Sequence, residues 1–476
     1  MTDSRRKWEV LAVVGAAFFM TILDVAIVNV ALPSIQKDLD IQESTLQWIV
    51  TAYAITFGGF LLLGGRMADL LGRRRIFLVG LTLFTLASLV CGLANGAGVL
   101  IASRAVQGLG AAIISPAALS IVTTTFDEGA ERNKALGIWG ALGGSGAAAG
   151  VLFGGILTKY LGWEWIFFVN VPVGALVFAL TRPIVPESYA ETADRRFDVA
   201  GAVTVTASLA LFVYAISNAP NVGWATFRTI GLIVLSVAIF AAFLVIETRA
   251  RSPLMPFDIF RNRSVTAANA VGLLFGAAIF ANFFILTLYV QQVLGWSALK
   301  TGVTFLATAG TVIVWAGVSQ ALVTRLGPRP ILTVGLLIAG ATLLYYTTLP
   351  VHGHYWPDLL PPYLTFSLGM AFTFIPVTIA AFVGVEPRLA GLASGLLNTT
   401  QQIGGAIGVA VSSTIFTSQA KSLLGQGKSF QIAFTSGYHW AFFALAVTAF
   451  FAAALAFVLL RKITVPADAE AAPVAV

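Results

Sequence analysis

Charge is scarce in this sequence. Only 10% of its 476 residues are charged and 58% are hydrophobic, whereas an ordinary soluble protein carries roughly a quarter charged residues. A water-soluble surface cannot be built from that inventory. Cysteine is rarer still. Cys91 stands alone, which excludes an internal disulfide, and its apolar neighbours mark it as a packing residue. With three histidines, no cluster of metal ligands and no nucleophile–base pairing, the sequence points away from an enzyme, and neither metal nor cofactor is expected. Gly425-Gln426-Gly427-Lys428-Ser429 resembles the end of a phosphate-binding loop, but Ser422 occupies the place of its first glycine, and no soluble domain is large enough to hydrolyse ATP.

Long apolar runs are what the chain has instead. A membrane span needs about 20 mainly apolar residues, because a helix rises ~1.5 Å per residue through ~30 Å of hydrocarbon. Lipid admits only helices or closed barrels, and continuous runs of this length select helices. Fourteen spans are expected, at 9–33, 45–65, 76–95, 98–126, 133–159, 163–182, 198–219, 228–247, 265–291, 300–324, 330–349, 357–384, 393–418 and 438–460. Arg5, Arg6 and Lys7 before the first run imitate a secretory signal, but the run from Val10 to Leu32 is too long and has no convincing cleavage site. The predicted fold class is an all-α polytopic membrane protein.

Basic residues set its orientation. Of the 28 Lys and Arg, 21 fall in one alternate set of loops or at the termini and six in the other, with Arg104 inside a span. Lys and Arg accumulate on the cytoplasmic side, so both termini are expected there, in the inner or plasma membrane. The net charge of +7 is spread over short loops and gathers on no soluble face, so the partner it implies is the lipid bilayer and not nucleic acid. The Ala-, Pro- and Val-rich tail 463–476 is expected to be disordered in the cytoplasm.

The two halves match at an offset of 255 residues, pairing Gly72 with Gly327, Glu131 with Glu386, Ala135 with Ala390, Gly140 with Gly395 and Gly150 with Gly405. That register predicts a six-helix bundle over 1–197, two inserted linker helices over 198–250 and a second six-helix bundle over 251–462. Parallel repeats of this kind are an architecture of secondary transporters, which bind substrate near the midplane between the halves.

Within the hydrocarbon zone Asp24 and Arg104 are the unambiguously ionisable residues. They lie ~14 Å and ~9 Å from the outer ends of their spans, within side-chain reach in depth. One reading is a static buried ion pair; the other is a carboxylate that exchanges a proton in a water-filled cavity, with Arg104 steadying its ionised form in one conformation only. Both stay open at this stage.

Gly65-Arg66-Met67-Ala68-Asp69-Leu70-Leu71-Gly72-Arg73-Arg74-Arg75 falls at a turn between spans two and three. Gly72 permits the turn and Asp69 can accept hydrogen bonds from a helix N-terminus or from arginines, latching neighbouring helices; alternatively the arginines only set topology. Gly146, Gly150 and Gly154 recur at four-residue spacing in span five and allow another helix to approach closely. Trp163 and Trp165 fit an interfacial aromatic belt. Asn398, Gln401 and Gln402 share one face of span thirteen by their i, i+3, i+4 spacing. With Tyr53, Gln107, Asn282 and Trp315 they are candidates to line a cavity, interhelical hydrogen bonding being the alternative role for each.

These segments resemble the fourteen-helix drug/proton antiporters of the major facilitator superfamily. Leu23-Asp24-Val25-Ala26-Ile27-Val28-Asn29-Val30-Ala31-Leu32-Pro33 is similar to that branch's span-one motif, Gly65 to Arg75 to the superfamily's loop motif, and Arg104-Ala105-Val106-Gln107-Gly108-Leu109-Gly110 to its span-four motif. The resemblance covers nearly the whole chain. It implies the major facilitator fold, proton coupling through Asp24 and Arg104, a gate latch of Gly65, Asp69, Gly72, Arg73 and Arg74, and an interface between halves at Gly146, Gly150 and Gly154. It further implies export in exchange for inward protons. Val151 departs from the family's proline and Glu164 from its arginine.

Together these expectations describe a monomeric, proton-coupled multidrug exporter of small lipophilic or amphipathic substrates, with the proton gradient as its energy source. The second half has no mid-membrane acid, which points away from dicationic substrates. A dedicated metabolite exporter, an uptake symporter of the same fold and a non-transporting membrane receptor are the alternatives.

Overall fold

The computed structural model describes residues 3–126, 130–189, 198–250, 253, 257–385 and 390–460. The predicted tail and the loop cations Arg195, Arg196, Arg251, Arg388, Arg461 and Lys462 lie outside the described residues, as does Glu386 of the repeat.

Every predicted span overlaps a helix, and the ends agree to within a few residues except where a helix runs on past its span. The first half contains α1 (Asp3–Asp38), α2 (Glu43–Leu71), α3 (Arg73–Gly92), α4 (Ala97–Thr125), α5 (Ala130–Tyr160) and α6 (Asn170–Ile184), the last entered through a single turn, Trp165–Phe168. Two helices follow, α7 (Val199–Val222) and α8 (Phe227–Arg249). The second half comprises α9 (Arg263–Leu288), α10 (Ala298–Leu326), α11 (Pro328–Tyr345), α12 (Leu360–Phe382), α13 (Ala390–Gly425) and α14 (Phe430–Leu459). Among the described residues thirteen helices are long and apolar enough to cross a membrane; α5, the fourteenth, has 31 residues and carries no charge from Ala135 to Thr158. Several helices overrun the predicted spans, α14 by starting at Phe430. Hydropathy measures the apolar slab, whereas backbone hydrogen bonding continues into the polar interface, aided by caps such as Ser429 on Ile432 N–H and Ser297 on Lys300 N–H.

The packing repeats with the sequence. In the first half α1 packs on α5 and α6, α4 on α2 and α3, and α3 on α6; the second half reproduces each contact eight helices later, between α9 and α13, α9 and α14, α12 and α10, α12 and α11, and α11 and α14. The two most extensive contacts between the halves are α2 with α13 and α5 with α10, and the repeat exchanges them. Gly72 and Gly327, paired at the 255-residue offset, each form a one-residue turn with positive φ, 106° and 80°, a conformation open to glycine at little strain. The inserted pair α7–α8 leans by α7 against α2 and α13. The architecture is two six-helix bundles with two linker helices, as the repeat predicts.

The molecule has an arginine-rich face, carrying Arg73 to Arg75, and an opposite face at the far ends of the same helices. Towards the opposite face one apolar core runs through both halves, from Ile27, Leu46 and Ile49 to Phe284, Tyr289 and Phe442. Towards the arginine-rich face each half keeps its own core, one around Val14, Phe77 and Ile121 and the other around Val271, Leu336 and Ala453. Leu62 on α2, packed with Ala393 and Leu396 on α13, bridges the seam there.

Candidate functional site

Asp24 lies at the meeting point of four helices of the first half. Its carboxylate is fully buried and Arg104 is 2% exposed, with Nη1 of the guanidinium 2.5 Å from Oδ2. Gln107 donates from Nε2 to Oδ1 at 2.8 Å and Asn170, the first residue of α6, donates from Nδ2 to the same oxygen at 2.9 Å. Arg104 also donates to the Gln107 side-chain oxygen at 2.7 Å and to the Ile49 carbonyl at 3.0 Å. The Tyr53 ring covers the guanidinium at 4.3 Å, a cation–π contact strengthened by exclusion of water. Behind the amides Ser88 accepts from Gln107 at 3.2 Å and from Asn170 at 3.0 Å, and donates to the Phe167 carbonyl at 2.9 Å.

The local sequence explains why α4 can deliver this cluster. Arg104 and Gln107, at i and i+3, share the face turned to α1. Gly108 faces α2, where a Cβ would stand 2.4 Å from the Tyr53 carbonyl oxygen, and Gly110 faces α3, where a Cβ would stand 2.6 Å from the Phe84 nitrogen. Thr56 fastens α2 to α4 by donating to the Ala105 carbonyl at 2.8 Å. The two glycines bring three backbones close enough for side chains to converge on one buried charge.

The predicted pair Asp24–Arg104 is therefore assembled. Tyr53 and Gln107, predicted as cavity lining, are instead parts of the same charged cluster. The remaining cavity candidates do not converge. Asn282 is buried on α9; Trp315 packs on Phe372 with ring centroids 6.0 Å apart; and Asn398 is exposed and donates to the Ser394 carbonyl in its own helix. Gln401 lies against Gly276 on α9, whereas its neighbour Gln402 meets Gly58 on α2.

At the arginine-rich face Arg73 donates to Asp69 at 3.0 Å and Ser120 does so at 3.3 Å, while Gly65 rests on Pro116. Arg74 donates its backbone N–H to Glu187 Oε1 at 3.0 Å and its guanidinium to the Val185 carbonyl at 3.2 Å. Gly72 abuts the same Glu187 carboxylate. Among these described contacts the motif is tied within the first half and to the segment leaving α6.

The span-five glycines require a correction. Gly146, Gly150 and Gly154 face α1 of their own half, with the Cβ position of Gly150 2.6 Å from the Leu23 carbonyl oxygen. The α5 glycine that meets the other half is Gly155, whose Cβ position is 2.8 Å from Leu299 Cα on α10. Four-residue spacing identifies a stripe but not its partner. Trp163 is likewise no lipid anchor: it is 4% exposed and donates to Asp38 at 2.9 Å, while Trp165 is 46% exposed.

Sequence reasoning missed Ser88 and Asn170, and also a second group of residues. Past α9 the chain widens into a π-helical turn, Tyr289–Val293. From it Gln291 donates to the Val30 carbonyl at 2.9 Å, Gln292 donates to Gln36 at 2.8 Å, and Tyr438 donates to Gln292 at 2.5 Å. The first two bonds close the seam between halves at the opposite face, the third holding Gln292 in place from its own half, beside a cavity of about 300 Å³ lined by Pro33, Lys37, Lys159 and Trp296. A polar amide in an apolar run was the available signal for Asn170; nothing in the sequence announced the π turn.

The family profile described as Major Facilitator Superfamily matches residues 14–409. The chain is 39% identical over 422 residues to the puromycin resistance protein pur8 of Streptomyces alboniger, covering 88% of this chain and 84% of that one. It is 35% identical over 423 residues to the multidrug resistance protein Stp of Mycobacterium tuberculosis, covering 88% and 78%. Among solved structures, an auto-inhibited peptide transporter of the POT family superposes with a TM-score of 0.70 at 16% identity, covering 96% of this chain and 98% of that one, a likeness of fold.

Proposed function

The chain belongs to the Major Facilitator Superfamily, and from the chemistry at Asp24 we propose that it is a proton-coupled exporter of small lipophilic or amphipathic compounds. The observation that carries this reading is a wholly buried carboxylate, paired with Arg104 and gathered with groups from α3, α4 and α6. A charge so far from water is costly unless compensated, and taking up a proton removes it.

Alternating access supplies the cycle, with the bundles 1–197 and 251–462 as moving bodies and 198–250 between them. The arginine-rich face is assigned to the cytoplasm by the distribution of Lys and Arg, which puts both termini there and the protein in the inner or plasma membrane. The merged core and the Gln291–Gln292 seam then close the outer side, and the parted cores belong to the inner side. In this inward-facing arrangement Asp24 is ionised and ready for substrate to enter; protonation from outside drives substrate release. A proton moving through 100 mV supplies about 2.3 kcal/mol, enough for roughly a fifty-fold gradient of a neutral substrate. Neither ATP nor a cofactor is needed, and one chain contains both halves, so the working unit is a monomer.

Resistance names among the relatives support export over uptake. One of them, pur8, is named for a single antibiotic, which favours a dedicated exporter as the second reading. The deciding experiment expresses wild type and Asp24→Asn at equal membrane abundance in a susceptible host and measures minimum inhibitory concentrations for unrelated lipophilic drugs. Broad protection of at least fourfold, lost in Asp24→Asn, supports the multidrug reading. Protection against one compound supports the dedicated one. Undiminished protection by Asp24→Asn contradicts both.

A further inference from the structure

Asp24 is surrounded by donors, and the orientation of the amides among them is fixed by Ser88. That hydroxyl has one proton, committed to the Phe167 carbonyl at 2.9 Å, so its oxygen can only accept from Gln107 and Asn170. Both amides must therefore show N–H to Ser88 and to Asp24 Oδ1. The arrangement suits a carboxylate, which only accepts.

A protonated Asp24 would carry an O–H and need an acceptor. The Gln107 oxygen already accepts from Arg104 at 2.7 Å, so turning that amide breaks an arginine contact as well as its own donations. Turning the Asn170 amide breaks only two bonds that it donates, at 2.9 and 3.0 Å, and brings its oxygen to the carboxyl group. Asn170 is 1% exposed, so no bulk water competes for the role.

We propose that Asn170 is a positioning residue for the transported proton, its amide donating to ionised Asp24 and turning over to accept from protonated Asp24. This rests on the reading that Asp24 carries the proton. Asn170 opens α6 directly after the Trp165–Phe168 turn, and Ser88 anchors that turn to α3. Each protonation change is thus felt in α1, α3 and α6 together, which ties the chemistry to helix positions.

The test is an infrared titration of the carboxylic-acid stretch in the purified, lipid-reconstituted full chain, which needs no substrate. The described charged or titratable groups in the field of Asp24 are Arg104 on α4, Tyr53 on α2 and Cys91 on α3; α5 presents glycines and α6 presents Asn170. Asn170→Leu alters none of those charges. A band titrating in wild type and missing in Asp24→Asn identifies the Asp24 carboxyl. Against that band, Asn170→Leu is expected to move the midpoint by about one to two pH units to higher pH, because the bond lost by the ionised form is charge-assisted and stronger than the neutral bond lost by the acid form. Ser88→Ala, which frees the amide to turn, is expected to move it the same way by less. Should Asn170→Leu fail to fold, Ser88→Ala decides alone. Unmoved midpoints, with the band still lost in Asp24→Asn, overturn the role of Asn170 and spare that of Asp24. A wild-type spectrum in which no titrating band depends on Asp24 overturns both.

Discussion

Arg104 Nη1 and Asp24 Oδ2 stand 2.5 Å apart, in helices α4 and α1, with both side chains almost wholly withdrawn from solvent. Removing one partner of such a pair strands the other, at a cost of about 3–5 kcal/mol. Arg104→Ala is therefore expected to lower thermal stability in detergent sharply, and adding Asp24→Asn to recover most of it without restoring coupled transport. Scanning fluorimetry of the single and double variants checks this. Equal melting of Arg104→Ala and wild type would show that the pair contributes little.

The seam at the outer side should behave as a gate. Gln36 and Gln292 make side-chain contact across the halves at 2.8 Å, and the native Cys91 is buried. Cysteines at these two positions, joined by a short bifunctional thiol reagent, are expected to abolish export, with recovery after reduction. Continued export by the cross-linked protein would mean that this seam does not open.

Two glycines of α5, five residues apart, should fail differently. Gly150→Val drives into the Leu23 backbone within one half and is expected to reduce folded yield several-fold. Gly155→Val meets Ala298 and Leu299 across the halves and is expected to fold but export poorly. Size-exclusion profiles and transport rates separate the two outcomes.

Glu187 receives the Arg74 backbone N–H and lies 3.7 Å from the guanidinium groups of Arg74 and Arg75. Partly exposed ion pairs contribute only about 0–1 kcal/mol, so Glu187→Gln is expected to leave melting within about 2 °C of wild type. Its effect should fall on transport rate, reduced several-fold by loosening the turn at Gly72 from the link to α7. Measuring melting and export on one preparation tests the split.

Much of this was legible beforehand, and the boundary has physical causes. Helix number and the 255-residue repeat follow from apolar runs and paired glycines, because lipid forces hydrogen bonding into each helix. Asp24 and Arg104 announced themselves as charges where charge is expensive. The neutral groups that complete their site did not: Ser88 and Asn170 are ordinary polar residues in spans, and Gln107 reads equally well as cavity lining until its partners are known. Gly155 escaped because one residue turns a helix face by about 100°, enough to exchange α1 for α10. Gln291 and Gln292 depend on a π turn whose register no local pattern announces.

Proton movement coupled to substrate is the most direct test. Proteoliposomes loaded with a pH-sensitive dye and containing wild type or Asp24→Asn would be challenged with puromycin and a panel of lipophilic drugs. Compound-dependent proton flux in wild type, abolished in Asp24→Asn while the protein remains folded and inserted, is the expected result. Flux of equal size in Asp24→Asn would contradict proton coupling through this carboxylate.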